Sequence, residues 1–237
     1  MSTRRRALLV GATSQIGHGL AVELASLGHD LVLWGRRAAE LQAAAAQCRA
    51  EGAEVRTLAV DVADDAALGD AVRGLADRPL HVAVWTPGLF DWGSAAGADP
   101  AAWRRLMDVN VTAPAVFTAL VAPLLVAAAP SSLVYLGSGA GHQAYPDNAA
   151  YVASKHGLTG LARATFLDLR DAAVKVSLIS PGLVAAGGGL LSPAGQQRPQ
   201  DLLAVADVAA ALRFVLTSSP SCCPTEIQLQ PLRSPVG

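Results

Sequence analysis

The sequence predicts one doubly wound α/β domain, a parallel β-sheet with helices on both faces. Three observations carry this. Short apolar runs alternate with stretches of helical periodicity along the whole chain. The first run, Ala7-Leu8-Leu9-Val10, enters a glycine-bearing turn and then a helix. The 237 residues suit a single large α/β domain, with no internal repeat and no dividing linker.

Hydrophobic residues make up 52% and charged residues 16% of the chain, which allows a large buried core. A net charge of −1 gives no reason to expect nucleic acid or an anionic membrane as partner. Of the three cysteines, Cys222 and Cys223 are adjacent. An odd count is no disulfide framework, and a cytoplasmic protein is expected. Cys222 and Cys223 read either as a redox or metal pair or as small residues at a turn; no metal site is predicted. Arg4-Arg5-Arg6 starts like a signal peptide, but its apolar run breaks at Gly11. The run from Val111 to Pro130 is near membrane-spanning length, yet holds Pro114, Pro123, Thr112 and Thr118. It is expected to be a helix buried on most faces, in a core or a subunit interface.

The elements follow in order. Gly11-Ala12-Thr13-Ser14-Gln15-Ile16-Gly17 is the turn after the first strand, and Leu20, Ala21, Leu24 and Leu27 continue it as a helix ending by Gly28. Strand, glycine turn, helix lets backbone N–H groups and a helix N-terminus hold a pyrophosphate. Leu31–Trp34 is the second strand and ends in Gly35-Arg36-Arg37. No acidic residue stands there to accept ribose hydroxyls. Two guanidiniums instead offer forked donors for a 2′-phosphate, or simply begin a solvated helix, Arg37 more so. Helices are expected over about 38–50 and 64–76, with strands at Val55–Val60 and His81–Val84. Asp61 follows the third strand, where a carboxylate also suits a turn or helix cap. Pro100–Met107 is a helix with proline at its start. Asn110 is unfavourable by propensity inside an apolar helical run, which points to a special role.

Ser132–Leu136 is the fifth strand and delivers Ser138, 13 residues before Tyr151. On the helix expected over about 151–171, Tyr151 and Lys155 are i and i+4, one turn apart on one face. A phenol is about one part in a thousand ionised at pH 7. An ammonium about 5 Å away favours phenolate by roughly 3 kcal/mol at an effective dielectric near 20. That brings the tyrosine into the range of a useful acid and base. Val174–Ile179 is the sixth strand, and a flexible loop rich in Gly, Pro and Gln spans about 183–204. Asp207 is read as starting a helix Val208–Leu216, and Glu226–Pro231 as the last strand.

These residues, in this order over nearly the whole length, resemble the short-chain dehydrogenase/reductase family, with its Rossmann-like fold and nicotinamide cofactor. The resemblance implies NADP(H) as cofactor and a catalytic set of Ser138, Tyr151, Lys155 and Asn110, the last holding a water beside the lysine. It implies cofactor contacts from Gly11, Thr13, Ser14, Gln15, Ile16 and Gly17 in the turn, Arg36 and Arg37 after the second strand, and Asp61 and Val62 at the adenine. It adds Thr86 and Gly88 after the fourth strand, Tyr151 and Lys155 at the ribose, and Pro181, Gly182 and Val184 at the nicotinamide. His142, Gln143 and Tyr145 are expected to border the substrate, with the 183–204 loop as lid; His142 titrates there or is simply a wall. Three departures stand out: Gln15 replaces the middle glycine, Trp85-Thr86-Pro87-Gly88 replaces Asn-Asn-Ala-Gly, and Ala186 replaces a threonine. The ending Glu226–Pro231 is similar to a subgroup that oxidises small hydroxy acids.

The expectation is reversible hydride transfer between NADP(H) and a small carbonyl or alcohol, in a homodimer or homotetramer. A non-catalytic NADP(H)-binding sensor or scaffold is the alternative from another class, favoured by Gln15 and the altered Trp85–Gly88 stretch. The intact proton-donor set argues against it. An epimerase or dehydratase with the same Tyr and Lys is a second alternative, and the short stretch after Pro181 leaves little room for its usual substrate domain.

Overall fold

The computed structural model describes residues 4–233. Seven strands form one sheet: β1 (Arg6–Val10), β2 (Asp30–Gly35), β3 (Val55–Ala59), β4 (Val82–Trp85), β5 (Ser131–Leu136), β6 (Val174–Pro181) and β7 (Glu226–Leu229). Their order is β3-β2-β1-β4-β5-β6-β7, and every pair is parallel. The order reverses between β1 and β4, so a crevice opens at the carboxyl ends of those two strands. Among the described residues nine α-helices connect and cover the sheet: α1 (Gln15–Ser26), α2 (Ala38–Ala50), α3 (Asp65–Arg73), α4 (Pro100–Met107), α5 (Ala113–Ala127), α6 (Ala149–Leu169), α7 (Gly188–Leu191), α8 (Pro193–Gln197) and α9 (Val205–Thr217).

The central strands read as continuous apolar runs because both of their faces are covered. Along β1, Ala7 and Leu9 pack toward α1, α2 and α9, while Leu8 and Val10 pack toward α3, α5 and α6. Trp34 and Trp85 are fully buried on the second face, either side of Phe117, with centroids 6.4 Å and 4.9 Å from it.

Several expectations are corrected. The core of one chain covers only part of the α5 segment: in the apolar stretch Pro100–Ala127, mean hydropathy 1.9, 39% of the most apolar window is buried within the chain. By length and composition alone it is long enough to cross a membrane. Phe117, Val121 and Leu125 face the core, while Pro123 and Val126 face outward. The stretch expected as an irregular lid is α7, α8 and a 3₁₀ turn at Pro199–Asp201. Two prolines, Pro193 after Ser192 and Pro199 after Arg198, open its last two turns, with Ser192 capping α8 through Gly195 N–H at 3.0 Å. Asp207 does not start α9. It lies at the third helical position and accepts from Ala204 N–H at 2.8 Å. A helix starts before its capping carboxylate when that carboxylate reaches back.

Candidate active site

The glycine turn is built as a cradle. Gly11 has φ +91°, and a Cβ there would lie 2.2 Å from Thr86 Oγ1. A Cβ on Gly17 would lie 2.2 Å from Gly11 O. Ser14 caps α1, accepting from Gly17 N–H at 2.9 Å and donating to Gly11 O at 3.1 Å. The start of α1 therefore follows directly on Thr13 and Ser14 of the cleft wall, beside a backbone only glycine permits. Gln15, the first residue of α1, turns its side chain away and accepts from Gly187 N–H at 2.8 Å. The missing middle glycine has become a tie between this turn and α7. Ile16 packs its side chain against the core and offers only its backbone.

The missing asparagine pair is also accounted for. Trp85 belongs to β4 and fills the core. Thr86 supplies the tie between strands, its hydroxyl donating to Val10 O at 2.7 Å.

Gly11, Thr13, Ser14, Arg36, Arg37, Asp61, Val62, Thr86 and Gly88 line one cleft. Arg37 is occupied: its Nη2 donates to Thr13 O at 2.7 Å, and its Nε pairs with Glu40. Arg36 is exposed and has no side-chain partner among the described residues. Asp61 is exposed and caps its own turn, accepting from Ala63 N–H at 3.1 Å. Arg105, from α4, lines the same cleft and was not singled out in the sequence. The available signal was its place four residues before Val109, another lining residue on the same helical face. A narrow glycine cradle, a helix N-terminus and unpaired guanidiniums fit a dinucleotide phosphate chain.

Beside Gly88, which lines this cleft, lie the four residues expected to serve proton transfer. A Cβ on Gly88 would be 3.3 Å from Lys155 Nζ and 3.5 Å from Asn110 Oδ1. Lys155 is buried, its Nζ donating to Leu136 O at 3.3 Å. Ser138 begins a 3₁₀ turn after β5; its Oγ accepts from Ala140 N–H at 3.2 Å and lies beside Tyr151. Asn110 sits in a π turn, Asp108–Thr112, between α4 and α5. Such a turn re-aims one side chain inside a helix. Its Oδ1 accepts from Leu89 N–H at 2.7 Å, and its Nδ2 donates to Leu89 O at 2.9 Å and Ser154 Oγ at 3.0 Å. Both donors are used, so a water at this side chain has only the remaining Oδ1 lone pair.

The electrostatics differ from the sequence expectation. Burial holds the Tyr151 phenol above its ordinary pKa, with the Ser138 hydroxyl acting the other way. Burial also pushes Lys155 down to about 8. The ammonium is 5.7 Å from the ring centroid, over the ring. Desolvation thus opposes both charged forms at once, an effect that i,i+4 spacing does not reveal.

Pro181 ends β6, and Gly182 N–H donates to Leu229 O at 2.8 Å. Val184 is buried and bridges Leu203, and Ala186 is buried. A Cβ on Gly182 would be 2.7 Å from Gln230 Oε1, which places Gln230 beside this turn. His142 is turned inward: its Nε2 is 3.0 Å from Ser180 Oγ and its Nδ1 3.8 Å from Glu226. Gln143 and Tyr145 are exposed on the rim and hydrogen-bond to each other. Among the described residues no cluster suits a metal ion, and Cys222 and Cys223 are unbridged.

Comparison with known proteins gives a consistent picture. The family described as short chain dehydrogenase matches residues 5–190. An uncharacterized oxidoreductase of Myxococcus xanthus is 34% identical over 185 residues, 76% of this chain and 72% of that protein. Sulfoacetaldehyde reductase 2 of Chromohalobacter salexigens is 31% identical over 200 residues, 83% of this chain and 79% of that protein. A metagenomic short-chain oxidoreductase solved in complex with NADP superposes with TM-score 0.83 at 28% identity, covering 97% of this chain and 98% of that one. An alcohol dehydrogenase of Thermococcus sibiricus has TM-score 0.89 at 21% identity, over 97% of each chain, a likeness of fold.

Proposed function

The chain belongs to the short-chain dehydrogenase/reductase family, and from that premise we propose that it interconverts a carbonyl and an alcohol with NADP(H). The observation that carries the proposal is the convergence of Ser138, Tyr151, Lys155 and Asn110 beside Gly88, which lines the same cleft as Arg36.

NADP(H), when bound, supplies the hydride in reduction and accepts it in oxidation. In reduction, Tyr151 gives its hydroxyl proton to the carbonyl oxygen; in oxidation it takes the proton back. Ser138 donates a hydrogen bond to the same oxygen and holds it beside the phenol. The Lys155 ammonium favours the phenolate left behind and reaches the nicotinamide ribose. Asn110 positions the set by fixing Leu89 and Ser154. The Gly11–Gly17 cradle holds the pyrophosphate, with Thr13 and Ser14 at its edge. Arg36 meets a 2′-phosphate, and Asp61 and Val62 flank the adenine. The NADP-bound relative supports this choice of cofactor.

The outward apolar face of α5, with Leu167 of α6 58% exposed, supports a two-fold assembly through these helices. A monomer by sedimentation at micromolar concentration would remove this part of the proposal.

NADPH titration without substrate, followed by NADPH consumption against a panel of aldehydes and ketones, tests the function. Binding followed by consumption is expected. Binding with no consumption favours a sensor or scaffold. A tightly held cofactor regenerated without net consumption favours an epimerase or dehydratase.

A further inference from the structure

The loop after β4 carries two aromatic side chains that proton and hydride transfer leave unused. The loop is pinned at both ends. Asn110 holds the N–H and C=O of Leu89. Gly93 donates to Asp147 O at 2.8 Å and bridges Asn148. Phe90, Asp91 and Trp92 stand between the pins. Phe90 meets the Tyr151 ring edge-on with centroids 4.8 Å apart, and the Trp92 ring lies 5.5 Å from Phe90. Phe90 is 44% and Trp92 52% exposed. Exposed aromatic area on an anchored loop beside a proton donor marks a surface built for an apolar ligand.

The surroundings agree. Tyr145, 42% exposed, brings its hydroxyl over Gly139, next to Ser138. The start of α7 closes on Phe90: a Cβ on Gly188 would lie 3.7 Å from the Phe90 ring. Leu191, on the same short helix, is 75% exposed.

Charge points the same way. The two segments that flank Tyr151, residues 88–93 and 138–151, contain Asp91, Asp147 and His142, and no lysine or arginine; the 183–204 stretch adds Arg198 and Asp201. Arg163 is held by both carboxylate oxygens of Glu226, at 2.5 and 3.1 Å. Lys155 is buried beneath the site. From the two flanking segments a carboxylate or sulfonate substrate would meet two acidic side chains and no cation.

We infer that this site takes a ring-bearing carbonyl compound without an anionic group, its ring against Phe90 and Trp92, and not a small oxo or hydroxy acid. That the group presented to Tyr151 is a carbonyl rests on the function proposed above; the place of the ring rests on the aromatic geometry.

The test reads binding, so no turnover is required. The probes are 2-tetralone and glyoxylate, each titrated by saturation-transfer NMR into the protein with saturating NADP⁺ and without it. 2-Tetralone is expected to bind at least tenfold more tightly than glyoxylate. Trp92→Ala and Phe90→Ala should each weaken it about tenfold, and Trp92→Phe should restore most of the loss. Unchanged melting temperatures would show that the variants fold. Tighter binding of glyoxylate, or 2-tetralone binding indifferent to both alanine variants, overturns the inference. If 2-tetralone binds as expected but NADPH reduces no carbonyl, the proposed function fails and the ring site stands. If glyoxylate is reduced and 2-tetralone neither binds nor reacts, the function stands and the ring site fails.

Discussion

Arg36→Ala should separate the two nicotinamide cofactors. Arg36 and Arg37 are adjacent in sequence and both line the cleft, but they are not equivalent. Arg37 already spends its Nη2 on Thr13 O and its Nε on Glu40, whereas Arg36 is exposed with no described partner. A hydrogen bond to a charged group contributes about 1.5–3 kcal/mol, and solvent exposure keeps Arg36 toward the lower end. That corresponds to roughly tenfold to a hundredfold in affinity. Arg36→Ala is therefore expected to raise the NADPH dissociation constant by that factor and leave NADH within about threefold. Arg37→Ala should have the smaller effect, since its fork is already engaged. Fluorescence titration of both cofactors at one ionic strength reads the difference. Added salt should weaken NADPH binding more than NADH binding in the wild type, and this contrast should fade in Arg36→Ala. Equal wild-type affinity for the two cofactors, or an equal loss of both in the variant, would refute the assignment.

Two further outcomes follow from the inner site. Asn110→Leu strips the partners from Leu89 N–H and C=O and from Ser154; at about 1–3 kcal/mol for a buried unsatisfied group, the loss should be about 3 kcal/mol. For a domain this large that lowers the melting temperature by roughly 6–12 °C, and a change under about 2 °C would contradict the anchoring role. Lys155→Met concerns pH: the folded Lys155 pKa of about 8 lies below its ordinary 10.5, so between those values the unfolded chain holds a proton that the folded chain has lost. Wild-type apoprotein should then gain stability relative to Lys155→Met as pH rises from about 8 to 10.5, by up to about 3 kcal/mol. At pH 7 the variant should be the more stable, a cost of the active site that chemical denaturation across this range reads; a pH-independent difference would show that Lys155 is not desolvated.

Much of the fold was legible because parallel strands buried on both faces leave unbroken apolar runs. The glycine turn was legible because Gly11 and Gly17 are the positions where a Cβ would strike backbone or Thr86. The departures were harder. Nothing local says that Thr86 takes over a strand tie from 76 residues away, or that Gln15 reaches Gly187, 172 residues on. Asp207 looked like a helix start because carboxylates favour both the cap and the first turn. The pairing of Tyr151 with Lys155 follows from spacing, but the sign of the phenol's shift depends on burial, which spacing does not report. Phe90 and Trp92 lie in a loop without periodicity, and only its two anchors bring them to Tyr151.

The central claim is that hydride passes directly between NADPH and a substrate carbonyl while Tyr151 supplies the proton. Single turnover with NADPH deuterated at the transferable C4 position, followed by mass spectrometry of the product alcohol, tests it in wild type and Tyr151→Phe. The account predicts deuterium on the carbinol carbon in the wild type. In Tyr151→Phe it predicts unchanged NADPH affinity with product formation reduced about 10²–10⁴-fold. Near wild-type deuterium transfer in Tyr151→Phe, or none in wild-type protein saturated with NADPH and offered the carbonyl panel, would contradict it.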